Sequence, residues 1–168
     1  MTKNSTLNKN LDKIFQLLQS LNLVYEIHSF GEDGEYNYLK EGEVCITINN
    51  SNKDNPLYID FVADEVILSY YKWHNHYAEE RVEEDILPDI KSLLTNQKCL
   101  IIINSAKRWL SSTISNEPLD SNYEYNKNIE KLPKEFREEI TQLGGNVELY
   151  YWNPKYSVTI DINPRGEL

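Results

Sequence analysis

LYIDFVADEVILSYY, residues 57–71, is the stretch of sequence that decides the fold. Two runs rich in apolar, β-branched and aromatic residues lie on either side of Ala63-Asp64, and this pattern predicts two strands joined by a tight turn. We expect the first strand over residues 57–63 and the second over residues 65–71. The first half of the chain is therefore predicted to contain a β-hairpin, with further strands and helices in the sequence on both sides of it.

Three further strands are predicted on the N-terminal side of this hairpin. The breaks between them carry Gly, Asp or Asn, which tolerate the positive φ that hairpin turns need. A polar segment over residues 49–56 is predicted to be an exposed loop. The three strands are expected over residues 23–30, 35–39 and 43–49.

Apolar residues at helical spacing predict one helix on each side of this strand-rich region. The first helix begins after Ser5 or Thr6, either of which can cap it. The second spans residues 78–96, and a kink or a restart is expected at Pro88, which lacks the N–H that a helix interior needs. The apolar face of the first helix consists of Leu7, Leu11, Ile14, Phe15, Leu18 and Leu21.

The C-terminal part of the chain contains a third predicted helix and four more strands. Residues 115–131 are polar and are predicted to form a long loop. Pro133 then opens the helix, Ile140 and Leu143 are among the residues facing inward, and Gly144 closes it. The strands are expected over residues 98–104, 108–114, 147–152 and 156–162, the last two as a hairpin across residues 153–155.

The order of these elements predicts an α+β fold. Runs of strands broken by three helices, without regular β–α–β alternation, indicate a mostly antiparallel β-sheet with about three helices packed on it. No internal repeat and no linker divides the sequence. Residues 1–168 are therefore predicted to form a single α+β domain.

The charge of the chain narrows the class of partner. Seventeen Lys and Arg against 27 Asp and Glu give a net charge of −10 and an isoelectric point near 4.8. Nucleic acid and anionic membrane are excluded as partners, because affinity for both depends largely on Lys and Arg. A basic protein is favoured, since complementary charge raises association rates. Solubility alone is the simpler explanation of the acidity.

The sequence also predicts a cytoplasmic location. It has no stretch of the roughly 20 apolar residues that a membrane helix needs, and its N-terminus lacks the apolar core of a signal peptide. Cys45 and Cys99 lie in apolar strand-like runs and form no CxxC pair. We expect both to be buried free thiols, as is usual in a reducing compartment.

A histidine pair in the segment Trp73-His74-Asn75-His76-Tyr77 is the sharpest local feature. On extended backbone His74 and His76 point the same way and could share a metal, but no spacing selects a third ligand, such as His28 or an acidic residue. No nucleophile or oriented carboxylate accompanies them for acid–base catalysis. We therefore predict no metal, no cofactor, no catalytic residue and no enzymatic activity. The simplest interpretation is that the segment shapes a strand end and caps the following helix, with its aromatic rings partly exposed.

An acidic stretch follows the histidine pair at once. Glu79 and Glu80 suit the positive end of a helix dipole, but the further acids extend past a first turn. Together with Trp73 and Tyr77 they predict a surface with aromatic anchors and negative charge, and the count of 12 tyrosines favours binding too. A solvated helix face is the alternative. The predicted partner-binding residues are Trp73, His74, His76, Tyr77, Glu79, Glu80, Glu83, Glu84 and Asp85.

The arrangement resembles small immunity proteins of Gram-positive polymorphic toxin systems of the LXG/WXG type. The likeness rests on a strand ending in an aromatic residue, Trp-His-x-His-Tyr, an acidic helix and a strand like residues 98–104. A second point is the segment VELYYWNPKY, residues 147–156, with its Trp and Lys-Tyr pair. The resemblance implies a cytoplasmic protein that binds and neutralises a cognate toxin domain, often a nuclease, by covering or locking its active site. It assigns no particular residue to toxin contact.

Two other functions stay open from the sequence. One is a metal-dependent enzyme centred on His74 and His76, for example a hydrolase that adds Asp60 or Asp64 and a metal to the pair. The other is a prophage or adaptor protein with a different protein partner. Neither is favoured by a motif, because the chain has no GxGxxG, GxxxxGK[ST], GxSxG or HExxH sequence.

Overall fold

The computed structural model describes residues 3–50, 55–115 and 126–164. The chain divides into two compact units, residues 1–91 and residues 92–168. Each unit contains an antiparallel sheet together with helices, so the predicted α+β class is confirmed. The strands are divided between two sheets, one of five strands and one of four.

The sheet of the first unit is a simple meander. Its strands pair in chain order, each antiparallel to the next, and β1 and β5 form the two edges. The predicted central hairpin is confirmed: β3 and β4 pair from Leu57↔Tyr70 to Val62↔Glu65, with Ala63 in the turn at φ 52°. The strands are β1 Tyr25–Ser29, β2 Val44–Ile48, β3 Leu57–Val62, β4 Glu65–Tyr70 and β5 Trp73–Ala78.

Two predictions for this sheet are wrong. The segment 35–39 is not a strand, since a 3-10 turn over Gly34–Tyr36 replaces it. Its tyrosines bond to side chains of the sheet instead of joining the backbone ladder, and Gly34 has a φ of 86°. The segment from Trp73 is not a strand end but the full edge strand β5.

The helix α1, Lys3–Ser20, packs on one face of this sheet, as its apolar spacing predicts. Ile14 and Leu18 are fully buried, and the Phe15 ring stacks on Tyr25 of β1 with centroids 5.3 Å apart. Inward residues of the strands alternate with residues of the opposite face. The fully buried ones include Ile46, Ile48, Leu57, Ile59, Val66 and Leu68.

The helical segment after β5 is not one regular helix. A 3-10 turn over Glu79–Arg81 and a π turn over Val82–Ile86 precede the helix α2, Leu87–Leu94. The π turn is closed by the bond from the Leu87 N–H to the Val82 carbonyl. The expected restart near Pro88 is confirmed, because proline is tolerated in a first helical turn but not in an interior.

The second unit contains a four-stranded sheet in the order β7-β6-β8-β9. Its predicted strands and its final hairpin are confirmed. Residues 115–131 were expected to form a loop, but residues 126–130 form a short helix. Residues 116–125 lie outside the described residues. Leu143 was expected to face inward but is 37% exposed. The elements are β6 Leu100–Ser105, β7 Trp109–Ile114, α3 Asn126–Glu130, α4 Lys134–Leu143, β8 Gly145–Tyr150 and β9 Val158–Ile162.

The core of this second unit forms where β6 and β8 pair. Gly145 lets the two strands approach, because a Cβ at this position would overlap the backbone of Asn104 and come within 2.9 Å of the Ser105 Cα. Ile140 of α4 packs into the same core. Its other buried members are Cys99, Ile101, Ile103, Leu110, Leu132, Val147 and Leu149.

The two cysteines are both free and buried, as predicted. Cys45 lies on β2 and Cys99 directly before β6. Among the described residues, no helix is long and apolar enough to cross a membrane.

Candidate binding face of the five-stranded sheet

The face of the five-stranded sheet opposite the core carries the three histidines of the chain together with several polar and acidic side chains. Neighbouring residues of a strand point to opposite faces and cross-strand partners share a face, so the register fixes which side chains lie together. We call the two rows that result the polar face. One row is His28, Cys45, Asp60, Ile67 and His76, and the other is Glu26, Thr47, Tyr58, Ser69 and His74.

The histidine pair lies on this polar face, at the edge strand β5. His74 and His76 are both exposed, their ring centroids are 5.6 Å apart, and the expectation that they point the same way is confirmed. The His76 Nδ1 lies 2.8 Å from a carboxylate oxygen of Glu65 on the neighbouring strand. Within residues 3–50, 55–115 and 126–164, no group of three or more His, Cys, Asp and Glu could hold a metal ion.

The other residues considered with the pair are not assembled around it. His28 lies on β1, four strands from β5, which corresponds to about 19 Å at the usual strand spacing. Asp60 is in the row of His76, but Ile67 lies between them and the two backbones are about 10 Å apart. Asp64 lies in the turn between β3 and β4. The structure therefore does not bring these carboxylates and histidines together as a hydrolytic site.

The aromatic neighbours of the pair do not reach the surface as expected. Trp73 is 7% exposed and Tyr77 8% exposed, because both lie on the core face of the sheet, opposite Tyr70 and Val66 of β4. The Tyr77 hydroxyl donates a 2.8 Å hydrogen bond to Asp89, and burial raises its pKa. The prediction that these rings act as exposed anchors is wrong. Both rings instead pack into the core on the inner face of β5.

The acidic stretch, residues 79–85, is exposed but partly neutralised within the chain. Lys13 of α1 forms an ion pair with Glu83. Arg81 contacts Asp85 at 2.6 Å and Glu84 at 3.7 Å. The side chains of Glu83 and Glu84 are nevertheless 62% and 74% exposed, so their charge faces solvent.

A second feature of the polar face, not predicted from the sequence, is a cavity. Residues 34–38 fold over this face of the sheet, with Tyr36 against His28 of β1 and Thr47 of β2 and Tyr38 against Asp60 of β3. The cavity has a volume of about 230 Å³. It is lined by Glu35, Tyr36, Tyr38, Tyr58, Asp60 and Ser69.

The bottom of the cavity is a buried carboxylate. Asp60 is only 9% exposed and accepts a hydrogen bond from the Tyr38 hydroxyl. Cys45, its neighbour on β2, is fully buried, and burial together with the Asp60 charge raises the pKa of its thiol to about 12. The thiol is therefore protonated at neutral pH and is not a nucleophile. No Lys, Arg or His of the described residues forms an ion pair with Asp60.

The tyrosine segment above the cavity is held in place by His28. The Tyr36 ring stacks on the His28 ring with centroids 3.5 Å apart, and the Tyr36 hydroxyl lies 3.1 Å from the Thr47 hydroxyl. The His28 Nδ1 bonds to Glu32 at 2.8 Å, and the same carboxylate accepts from the Ser29 N–H at 2.7 Å. The bond to His28 lowers the pKa of Glu32. These contacts fix the segment over the sheet.

The net charge of the chain belongs almost entirely to the unit that carries this face. Residues 1–91 hold 17 of the 27 acids and 8 of the 17 bases, a net charge of −9. Residues 92–168 hold 10 acids and 9 bases, a net charge of −1. The acidity is therefore a property of the first unit and not of the whole chain.

Comparison with known proteins adds no assignment to this geometry. No family model matches the chain, and no curated protein and no solved structure matches it. The likeness to immunity proteins therefore rests on the sequence motif around His74 and His76 and on residues 147–156.

Proposed function

We propose that this chain is an immunity-type protein, which binds a basic cognate toxin domain and neutralises it by occlusion. The observation that carries the proposal is the confinement of the negative charge, −9 of −10, to the first unit. Acidity that served solubility alone would not need this distribution. A charge concentrated in one unit instead creates a field that orients an approaching basic protein.

The polar face gives this field a contact surface of suitable chemistry. Tyr38 is 48% exposed and His76 52% exposed, and the acidic stretch follows directly after β5. Tyrosine buries much area with little loss of rotamer freedom, which explains its enrichment at interfaces. Tyrosine, histidine and carboxylate groups together suit a basic surface such as a nuclease cleft, whose usual ligand is the phosphate backbone.

Occlusion requires no chemistry from the bound protein. A carboxylate-bearing surface that docks over a basic cleft satisfies the Lys and Arg that otherwise hold the substrate. The inhibitor then competes by covering the cleft, and its affinity depends on charge and shape. This mechanism needs an exposed acidic surface, which Glu83 and Glu84 provide with side chains that are 62% and 74% exposed.

Co-expression with the product of the adjacent gene tests the proposal. We expect that product to arrest growth when expressed alone and growth to return when this chain is present. The association rate of the purified pair should fall at least about tenfold as salt rises from about 50 to about 500 mM, since exposed charges are screened. An adjacent product that is harmless, or a pair that does not associate, would overturn the proposal and favour an adaptor with another partner.

A pair of matched double variants locates the charge effect. Glu80→Gln with Glu84→Gln removes two exposed charges beside β5, and Glu130→Gln with Glu135→Gln removes two exposed charges from the second unit. We expect the first variant to slow association several-fold and the second to leave it near the wild-type rate. Equal effects would show that only net charge matters and that the acidic stretch has no special role.

A further inference from the structure

We propose that the cavity on the polar face is a binding site for a guanidinium group. We take an arginine of the toxin as the source of that group, and this part of the inference rests on the proposed function. The existence of the site itself does not, because it follows from the residues around Asp60 and can be tested with a small cation.

The first argument is the missing counter-charge of Asp60. Buried carboxylates are normally paired with a cation, because removal of a charge from water is costly without one. Asp60 is only 9% exposed, and the groups that contact its carboxylate are neutral: the Tyr38 hydroxyl, which donates to it, and the protonated Cys45 thiol. No cationic side chain of the described residues lies within ion-pair distance of it. The carboxylate therefore has no cationic partner within residues 3–50, 55–115 and 126–164, and it lines a cavity that a cation can enter.

The second argument is the aromatic lining of that space. Tyr36, Tyr38 and Tyr58 all contribute to the wall, and Glu35 adds a carboxylate at the rim. Cations are attracted to the faces of aromatic rings, and a guanidinium also stacks on them and matches a carboxylate with two parallel N–H groups. An ammonium makes the ring and charge contacts but not the planar match. The lining thus favours guanidinium over ammonium.

The third argument is the size of the cavity and the fixed position of its walls. A volume of about 230 Å³ is below the range of about 300 to 1,000 Å³ that drug-sized ligands occupy, and it suits the head of one side chain. The walls are already fixed, because Tyr36 stacks on His28 and Tyr38 bonds to Asp60. A site that is ordered before binding avoids the entropic cost of forming its walls.

Titration of the full-length protein with methylguanidinium tests the site, with N-methylurea as the neutral control of nearly the same shape. Ring-labelled tyrosines report the binding, and their signals are assigned with Tyr→Phe variants. We expect saturable shifts of Tyr36, Tyr38 and Tyr58 with methylguanidinium, weaker shifts with methylammonium and none with N-methylurea. Equal responses to the charged and neutral compounds, or equal shifts at the exposed Tyr156 of the second unit, would overturn the inference.

Two variants separate the carboxylate from the rings. Asp60→Asn keeps the shape and can still accept the Tyr38 bond, and it should weaken methylguanidinium binding at least about tenfold. Tyr58→Leu keeps a strand-compatible side chain, removes one ring and should weaken binding less. If Asp60→Asn does not fold, Tyr58→Leu still decides the matter, because unchanged affinity would show that the ring wall takes no part. Unchanged affinity in Asp60→Asn would overturn the site outright.

The outcome for this site and the outcome for the proposed function can be read separately. Binding of methylguanidinium without any toxin partner would leave the cavity assigned and reject the immunity function. Toxin binding that Asp60→Asn leaves unaltered, while Glu80→Gln with Glu84→Gln slows it, would keep the immunity function and reject the cavity as an arginine site. The two proposals therefore fail under different results.

Discussion

Tyr38→Phe is the substitution that most directly probes the arrangement on the polar face. It keeps the ring, the fold of residues 34–38 and the shape of the cavity, and it removes only the hydroxyl that donates to Asp60. A hydrogen bond to a charged group contributes about 1.5 to 3 kcal/mol to stability. The cavity beside Asp60 is large enough to admit water, which can replace part of the lost bond. We therefore expect a loss near the lower end, about 1.5 kcal/mol.

Urea unfolding followed by circular dichroism measures this loss. Tyr156→Phe is the matched control, because Tyr156 is 50% exposed, close to the 48% of Tyr38, and within the described part of the chain its hydroxyl does not bond to a buried carboxylate. The control should change the free energy of unfolding by less than about 0.5 kcal/mol. A double-mutant cycle of Tyr38→Phe with Asp60→Asn should give a coupling energy of at least about 0.5 kcal/mol. Equal losses in Tyr38→Phe and Tyr156→Phe, or no coupling, would refute the view that Tyr38 stabilises the Asp60 charge.

Three further predictions concern other parts of the chain. Trp73→Ala should cost about 3 to 5 kcal/mol of unfolding free energy in a urea titration, while His74→Ala on the outer face of the same strand should cost less than about 0.5 kcal/mol. Gly145→Ala should destabilise the second unit by about 3 kcal/mol or prevent its folding, seen as lost dispersion in its backbone spectrum, because the added Cβ overlaps the backbone of β6. The hydrogen bond from Arg108 lowers the pKa of Glu139, so its stabilisation is complete above the ordinary carboxyl pKa and is lost as pH falls through the lowered value. The stability difference between wild type and Glu139→Gln should therefore shrink on acidification, and a constant difference would contradict this assignment.

The pattern of apolar and polar residues along the sequence was sufficient to predict most of the helices and strands of this fold. The hairpin of β3 and β4 and the helix α1 were predictable, because alternation and helical spacing are properties of neighbouring residues. The segment 35–39 has the composition of a strand, but contacts with Thr47 and Asp60 decide its shape. Such contacts join residues 11 and 22 positions apart, and a local pattern does not contain them.

The candidate binding surface was also predictable where it depends on neighbouring residues, and unpredictable where it depends on residues far apart in the sequence. The common direction of His74 and His76 follows from their spacing and was predictable. The burial of Trp73 and Tyr77 follows from which face of β5 meets the core, and one strand's sequence leaves that choice open. The cavity forms only where three separate segments meet, namely residues 34–38, β3 and β4. The sequence named Asp60 only as a candidate acid of a hydrolase site, and nothing in the sequence indicated the cavity around it.

The charge of the first unit and the cavity around Asp60 act at different distances. A net charge of −9 acts over about a Debye length, roughly 8 Å at physiological salt, and so governs how fast and in which orientation a basic protein arrives. Asp60 is one of the 17 acids behind that charge, but it is only 9% exposed, so it contacts a partner directly only through a cation that enters the cavity. Changes in the acidic stretch should therefore alter the association rate, whereas changes at Asp60 should alter the dissociation rate. A neutral side chain that reaches the same cavity leaves the buried carboxylate without a counter-charge, so the site penalises the wrong partner as well as favouring the right one.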